Sequence, residues 1–136
     1  MDVINEIKST DHKAWYNCGI SQSKQGKFDN AVKSYDKAIK IKPDDYLSWA
    51  GRGNSLNKFE KFDNAVKSYD KAIKIKPDRY EFWTGRAWSL YKLKKYEESN
   101  ENYDRVLELK PDYKLAKDNQ KIVKKKLSKH KTYSFE

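Results

Sequence analysis

Seventeen consecutive residues occur twice in this chain. FDNAVKSYDKAIKIKPD runs from Phe28 to Asp44 and again from Phe62 to Asp78. The step between the two copies also separates Trp15, Trp49 and Trp83, then Tyr35, Tyr69 and Tyr103, then Pro43, Pro77 and Pro111. A fixed period of this length is built from stacked supersecondary units, none of which can bury its apolar face alone. A chain of that kind is a scaffold with a surface, which favours holding a partner over transforming a substrate.

Each period contains two stretches with helical spacing. In the first, Trp15, Cys18, Gly19 and Gln22 share a face. In the second, Phe28, Ala31, Val32, Tyr35, Ala38 and Ile39 follow the i, i+3, i+4, i+7 rule. Gly26 lies between them as a helix terminator, and Asp29 is the expected cap of the second helix. Gly19 and Ala31 are small where two antiparallel helices must approach. Pro43 ends the second helix, because proline disfavours helical geometry in the residue before it. Asp44 and Asp45 then stand ready to cap the next helix and favour its positive end. No stretch alternates with a period of two, so no strands are expected.

The residues within the period carry a family resemblance. Counting from His12, Trp15 is fourth, Gly19 eighth, Ala31 twentieth and Pro43 thirty-second. This resembles the tetratricopeptide repeat, or TPR, with its sparse pattern W-x2-L-G-x2-Y, A-x3-F and P. The departures are Cys18, Arg52 and Arg86 at the leucine place and Gln22, Leu56 and Leu90 at the tyrosine place. In the third unit Ala87 replaces the small glycine and Ser99 the alanine. The resemblance implies an all-α fold, a right-handed superhelical α-solenoid of antiparallel helix pairs with about seven helices. The expected division is a lead-in over 1–11, repeats over 12–45, 46–79 and 80–113, a capping helix over 114–131 and a mobile tail over 132–136.

The stretch 114–136 does not start a fourth repeat by its signature. Leu115, Ala116, Ile122, Val123 and Leu127 form one apolar stripe among lysines, as suits the polar-backed cap that such arrays need. The chain carries a net charge of +10. Over most of its length that charge reads as a solvated helix face, because Asp29 and Lys33, or Asp63 and Lys67, form i, i+4 pairs with the acid leading. The excess gathers in the cap, where Lys121, Lys124, Lys125, Lys126 and Lys129 form a basic patch. A solvated cap ranks first there, an acidic protein partner second and nucleic acid a distant third, since lysine without interleaved aromatics is poor at reading bases. No segment has the length of a membrane span, and the polar start does not resemble a signal peptide. The single Cys18 is expected to be an inert core residue, and the composition suggests a cytoplasmic protein.

Signs of catalysis are few. His12 and His130 lie at opposite ends of the chain and share no neighbouring acid or nucleophile. No C-x-x-C, H-E-x-x-H or glycine-rich phosphate loop is present. The expected cofactor and metal content is none, and the expected role is non-enzymatic. The resemblance implies a peptide or helix of a partner protein bound on the concave face of the first helices. Its carried-over places point to Tyr16, Asn17 and Ile20, to Asn54 and Asn57, and to Trp88 and Tyr91. The asparagines offer paired amide bonds to a peptide backbone, and the two aromatics are either anchors or core beneath the cap. Co-chaperone members of the family grip the carboxyl tail of heat-shock chaperones. Here the five places concerned hold Tyr16, Ile20, Gly51, Glu81 and Gly85, none of them a cation, and the expectation is that this tail is not a ligand. Self-assembly into a homo-oligomer is the alternative role.

Overall fold

The computed structural model describes residues 11–134, with side chains to Lys129. The lead-in over 1–10, residues 135–136 and the side chain of His130 lie outside the described residues. Seven helices are present among those described: α1 (His12–Lys24), α2 (Phe28–Ile41), α3 (Tyr46–Lys58), α4 (Phe62–Ile75), α5 (Tyr80–Lys92), α6 (Tyr96–Leu109) and α7 (Lys114–Ser134). There are no strands among the described residues. Consecutive helices joined by tight turns pack as antiparallel pairs, so the fold is an all-α array of helix hairpins. The chain forms two compact units, Met1–Pro77 and Asp78–Glu136.

One turn recurs three times. Gly26 takes φ 78°, Lys27 N–H donates to the Gln22 carbonyl at 2.9 Å, and Gly26 N–H donates to Ser23 at 3.0 Å. This doubly bonded left-handed ending satisfies carbonyls that the end of a helix leaves open. The same bonds close α3, through Lys61 to Leu56 and Glu60 to Asn57, and α5, through Lys95 to Leu90 and Lys94 to Tyr91. Capping is less uniform. Asp11 accepts from Ala14 N–H at 3.0 Å and Asp45 from Ser48 N–H at 3.3 Å, so the expected Asp45 cap forms. Asp29 does not cap α2. The residue before that helix is Lys27, and Asp29 sits inside the first turn, where its charge meets the helix's positive end.

In the first unit, large tyrosines fill the space left by missing side chains. A methyl group on Gly19 would lie 2.7 Å from the Tyr35 ring, and one on Gly51 would lie 2.6 Å from it. Tyr35 is therefore clamped between α1 and α3. Burial, with a smaller contribution from Tyr16, raises its pKa far above the ordinary phenol value. Tyr69 takes the equivalent place on α4 against Gly53, and burial raises its pKa in the same way. The polar departures from the repeat pattern are bonded. Arg52 donates to Asp36 of α2 and to Ser68 of α4, both at 2.7 Å. Buried Gln22 accepts from Ser34 Oγ at 2.6 Å, and half-buried Cys18 is a weaker contact of the same hydroxyl at 3.5 Å.

In the second unit, Ala87, Tyr103, Val106, Ala116 and Val123 make one core from α5, α6 and α7. Ser99, standing in place of the expected alanine, is fully buried and donates to the Ala87 carbonyl at 2.8 Å. Gln120 fixes α7 to α6 by donating to Asp104 at 2.7 Å and to Asn100 at 3.0 Å. The helix α7 runs to Ser134, past the boundary at 131 that the sequence suggested, and it begins at Lys114, one full period after Tyr80 opens α5. It thus enters in the register of a repeat's first helix although its signature is absent. Its apolar residues also divide. Ala116 and Val123 are buried and Leu127 is half-buried, whereas Leu115 and Ile122 are 49% and 46% exposed. The single stripe expected from the sequence is two stripes, because those two side chains lie about 100° around the helix from the buried neighbours.

Candidate interaction surface

The first helix of each pair carries the residues singled out from the sequence. On α1, Asn17 is exposed, Ile20 half-buried and Tyr16 half-buried with its ring 5.9 Å from Tyr35. Nearby, Lys13, Tyr16, Lys42, Tyr46 and Leu47 are among the residues that line a cleft of about 190 Å3. His12 meets Asp45 there, with Nδ1 3.2 Å from Oδ2. That carboxylate is already committed, since it also accepts from the Ser48 hydroxyl at 2.6 Å. The pair serves the start of α3.

Asn54 is exposed and Asn57 half-buried on α3, and both lie close enough to the hydroxyl of buried Tyr69 to offset part of the rise that burial causes in its pKa. The sequence reading missed this shared partner. The signal was present in the period, which repeats Tyr35 as Tyr69, but nothing in one dimension places a tyrosine of α4 under asparagines of α3.

In the second unit, Trp88 and Tyr91 form a ring pair with centroids 5.6 Å apart, and Tyr91 continues to Tyr96 at 5.9 Å. The two differ in burial. Trp88 is 38% exposed and carries the Lys92 ammonium 5.3 Å above its ring. Tyr91 is half-buried and packs against the core of Ala87, Tyr103 and Val123. Trp88 is therefore outside that core, while Tyr91 is partly structural. Under the far end of α7, Lys94, Lys95, Tyr96, Glu97, Glu98 and Leu127 line a cavity of about 520 Å3. The patch residues Lys121, Lys124, Lys125, Lys126 and Lys129 are all exposed. Among the described residues, no group of histidine, cysteine and carboxylates is arranged to hold a metal ion, and no helix is long and apolar enough to cross a membrane.

Tetratricopeptide repeat models match residues 12–45 and 46–79, and a second model of the same description matches 80–113. A search of curated proteins returned no match. Among solved structures, the first TPR domain of the human RPAP3 protein is 23% identical, with a TM-score of 0.86, covering 92% of this chain and 98% of that one. The first TPR of Spaghetti (RPAP3) bound to the HSP90 peptide SRMEEVD is 24% identical, with a TM-score of 0.86, covering 90% and 97%. The second TPR domain of human RPAP3 in complex with the HSP70 peptide SGPTIEEVD is 23% identical, with a TM-score of 0.79, covering 84% and 98%. At these identities the likeness is one of fold. It corrects one expectation from the sequence, the exclusion of chaperone tails. Two structures of this architecture hold such peptides, so the absence of cations at five carried-over places does not remove the fold from those that bind them.

Proposed function

Because the chain belongs to the tetratricopeptide repeat family, we propose that it is a non-enzymatic interaction module that holds a segment of a partner protein against the first helices of its repeats. The observation that carries this reading is Trp88, a large aromatic left 38% exposed beside a second ring on a first helix. Tryptophan is enriched among residues that dominate binding energy, and its counterparts in the other periods are Ile20 and Asn54. Within the first unit, Asn17, Asn54 and Asn57 offer amides suited to a peptide backbone, and the similar structures that hold peptides support the class of ligand. The partner's identity is a separate matter from this class.

The test is an array of extended peptides, SRMEEVD among them, probed with the intact chain and with Trp88→Ala. The expected result is capture of a subset of peptides and a loss of about 2 kcal/mol in the variant, typical of a hot spot, with an unchanged melting temperature. Tyr91→Ala is a poorer test, since its ring supports the core. A chain that captures no peptide, or a variant that captures every one equally well, would sink the proposal. Molar mass rising with concentration in light scattering would support self-assembly instead.

A further inference from the structure

The chain enters its first helix as it enters its third. Asp11 caps α1 at φ −104° and ψ 91°, and Asp45 caps α3 at φ −76° and ψ 86°. Each carboxylate accepts from the N–H three residues on, Asp11 from Ala14 and Asp45 from Ser48. Each backbone carbonyl accepts from the tryptophan N–H one further, at 3.3 Å for Trp15 and 3.1 Å for Trp49. With like bonds and like dihedrals at the cap, the chain before Asp11 leaves α1 on the side where the chain before Asp45 leaves α3. That side decides the fate of the indole. The Pro43 carbonyl, six residues before Trp49, accepts from Trp49 Nε1 at 2.9 Å. Trp15 Nε1 is buried and has no hydrogen-bond partner among the described residues. Native folds leave few buried donors unpaired. The residue six before Trp15 is Ser9.

Beside that indole, Trp15, Lys37, Lys40 and Ile41 line a cavity of about 350 Å3. Lys37 and Lys40 are exposed and form no ion pair among the described residues. The residues before Asp11 complement this surface. Val3, Ile4 and Ile7 recur at helical spacing, and Asp2 and Glu6 are acids. Ile4 and Ile7 stand one period before Ala38 and Ile41, on the helix that packs against α3. Ser9 and Asp11 stand one period before Pro43 and Asp45. Apolar side chains gain by covering Trp15 and Ile41, and acids favour a site edged by lysines.

We infer that residues 1–10 dock on this flank of the first helix pair, as the closing turns of an incomplete repeat. The Ser9 carbonyl accepts from Trp15 Nε1, Ile4 and Ile7 cover Trp15 and Ile41, and Glu6 faces Lys37 and Lys40. The segment closes the first end of the array, because an uncovered end offers the next repeat, or a second copy, the surface on which repeats stack. The contact is independent of any ligand held elsewhere on the chain.

The test is hydrogen exchange at the indole N–H groups of the intact chain, followed by nuclear magnetic resonance, with Trp49 as the bonded standard. Trp15 is expected to exchange as slowly as Trp49. Ile4→Ser with Ile7→Ser is expected to speed Trp15 at least about tenfold relative to Trp49, and so is deletion of residues 2–8. A Trp15 indole that already exchanges fast in the intact chain overturns the inference. So does an unchanged ratio in both variants, whether the two indoles stay slow or speed up together. Protection of Trp15 that grows with protein concentration also overturns it, since a second copy then supplies the carbonyl. In light scattering the shortened chain is expected to gain molar mass with concentration while the intact chain holds constant. A shortened chain that stays monomeric overturns the closing role.

Discussion

Glu60 at φ 60° and Lys94 at φ 64° occupy the left-handed turn place that Gly26 fills in the first repeat. A side chain in that conformation costs about 1 kcal/mol or more, a cost glycine avoids. Glu60→Gly and Lys94→Gly are therefore expected to raise stability by roughly 0.5–1 kcal/mol each, the gain being trimmed by glycine's extra freedom when unfolded. Gly26→Ala should lower it by a similar amount. Urea melts of the three variants check both signs together, and destabilisation by either glycine would contradict the account. The sequence announced this turn only where it kept its glycine. Glu60 and Lys94 are legible only through the period, since neither residue signals a left-handed conformation by itself. Arg52 was harder still. At a leucine place it suggests a loosened core, yet its guanidinium reaches two helices, a solution fixed by one partner on the helix before it and one on the helix after.

At the scale of the element, the helices were readable because each buries a face with its own period, and their boundaries follow from turn chemistry repeated three times. The cap was only half readable. A run of apolar and lysine residues shows that α7 is amphipathic, but periodicity does not say which of two adjacent flanks meets a neighbour. The decision came from α6, whose Asn100 and Asp104 hold Gln120 and so turn Ala116 and Val123 inward. The same limit applied to the proposed surface. Trp88 and Tyr91 are three apart and read as equivalent, yet the core takes one of them as support. The cap's role in stability has a direct test. Truncation after Pro111 uncovers Tyr103 and Val106, which are fully buried in the intact chain. The shortened protein is expected to melt lower or to aggregate, as arrays do without a polar end. An unchanged melting temperature with a monodisperse solution would count against that role.

Across the whole molecule, the repeat period also sets the response to alkali. Tyr35, Tyr69 and Tyr103 recur at the same place and all are buried. Burial is the main cause of each raised pKa, with Tyr103 pushed up to about 12. Asn119 lies close enough to offset part of that effect, though the Tyr103 hydroxyl has no hydrogen bond of good geometry. A phenol with a folded pKa above its unfolded value of about 10 stabilises the fold fully below pH 10, and that contribution is lost as pH rises through the folded value. Stability should fall from about pH 10 upward, with each tyrosine adding at most about 1.4 kcal/mol per pH unit. Urea unfolding across that range should show a shallower slope for Tyr103→Phe, and an identical slope would refute the assignment. Perfect copying has a second outcome, for assembly during folding. The helix α3 meets the same seventeen-residue sequence on both sides, as α2 behind it and α4 ahead of it, and Arg52 bonds to both copies. Short turns at 42–45 and 59–61 decide which copy lies where within one molecule. Between two molecules no such tether operates, and a neighbour's copy offers the same surface at no loss of contacts. Refolding at high concentration therefore favours exchange of helix hairpins into swapped dimers, a hazard that arises from identity between repeats.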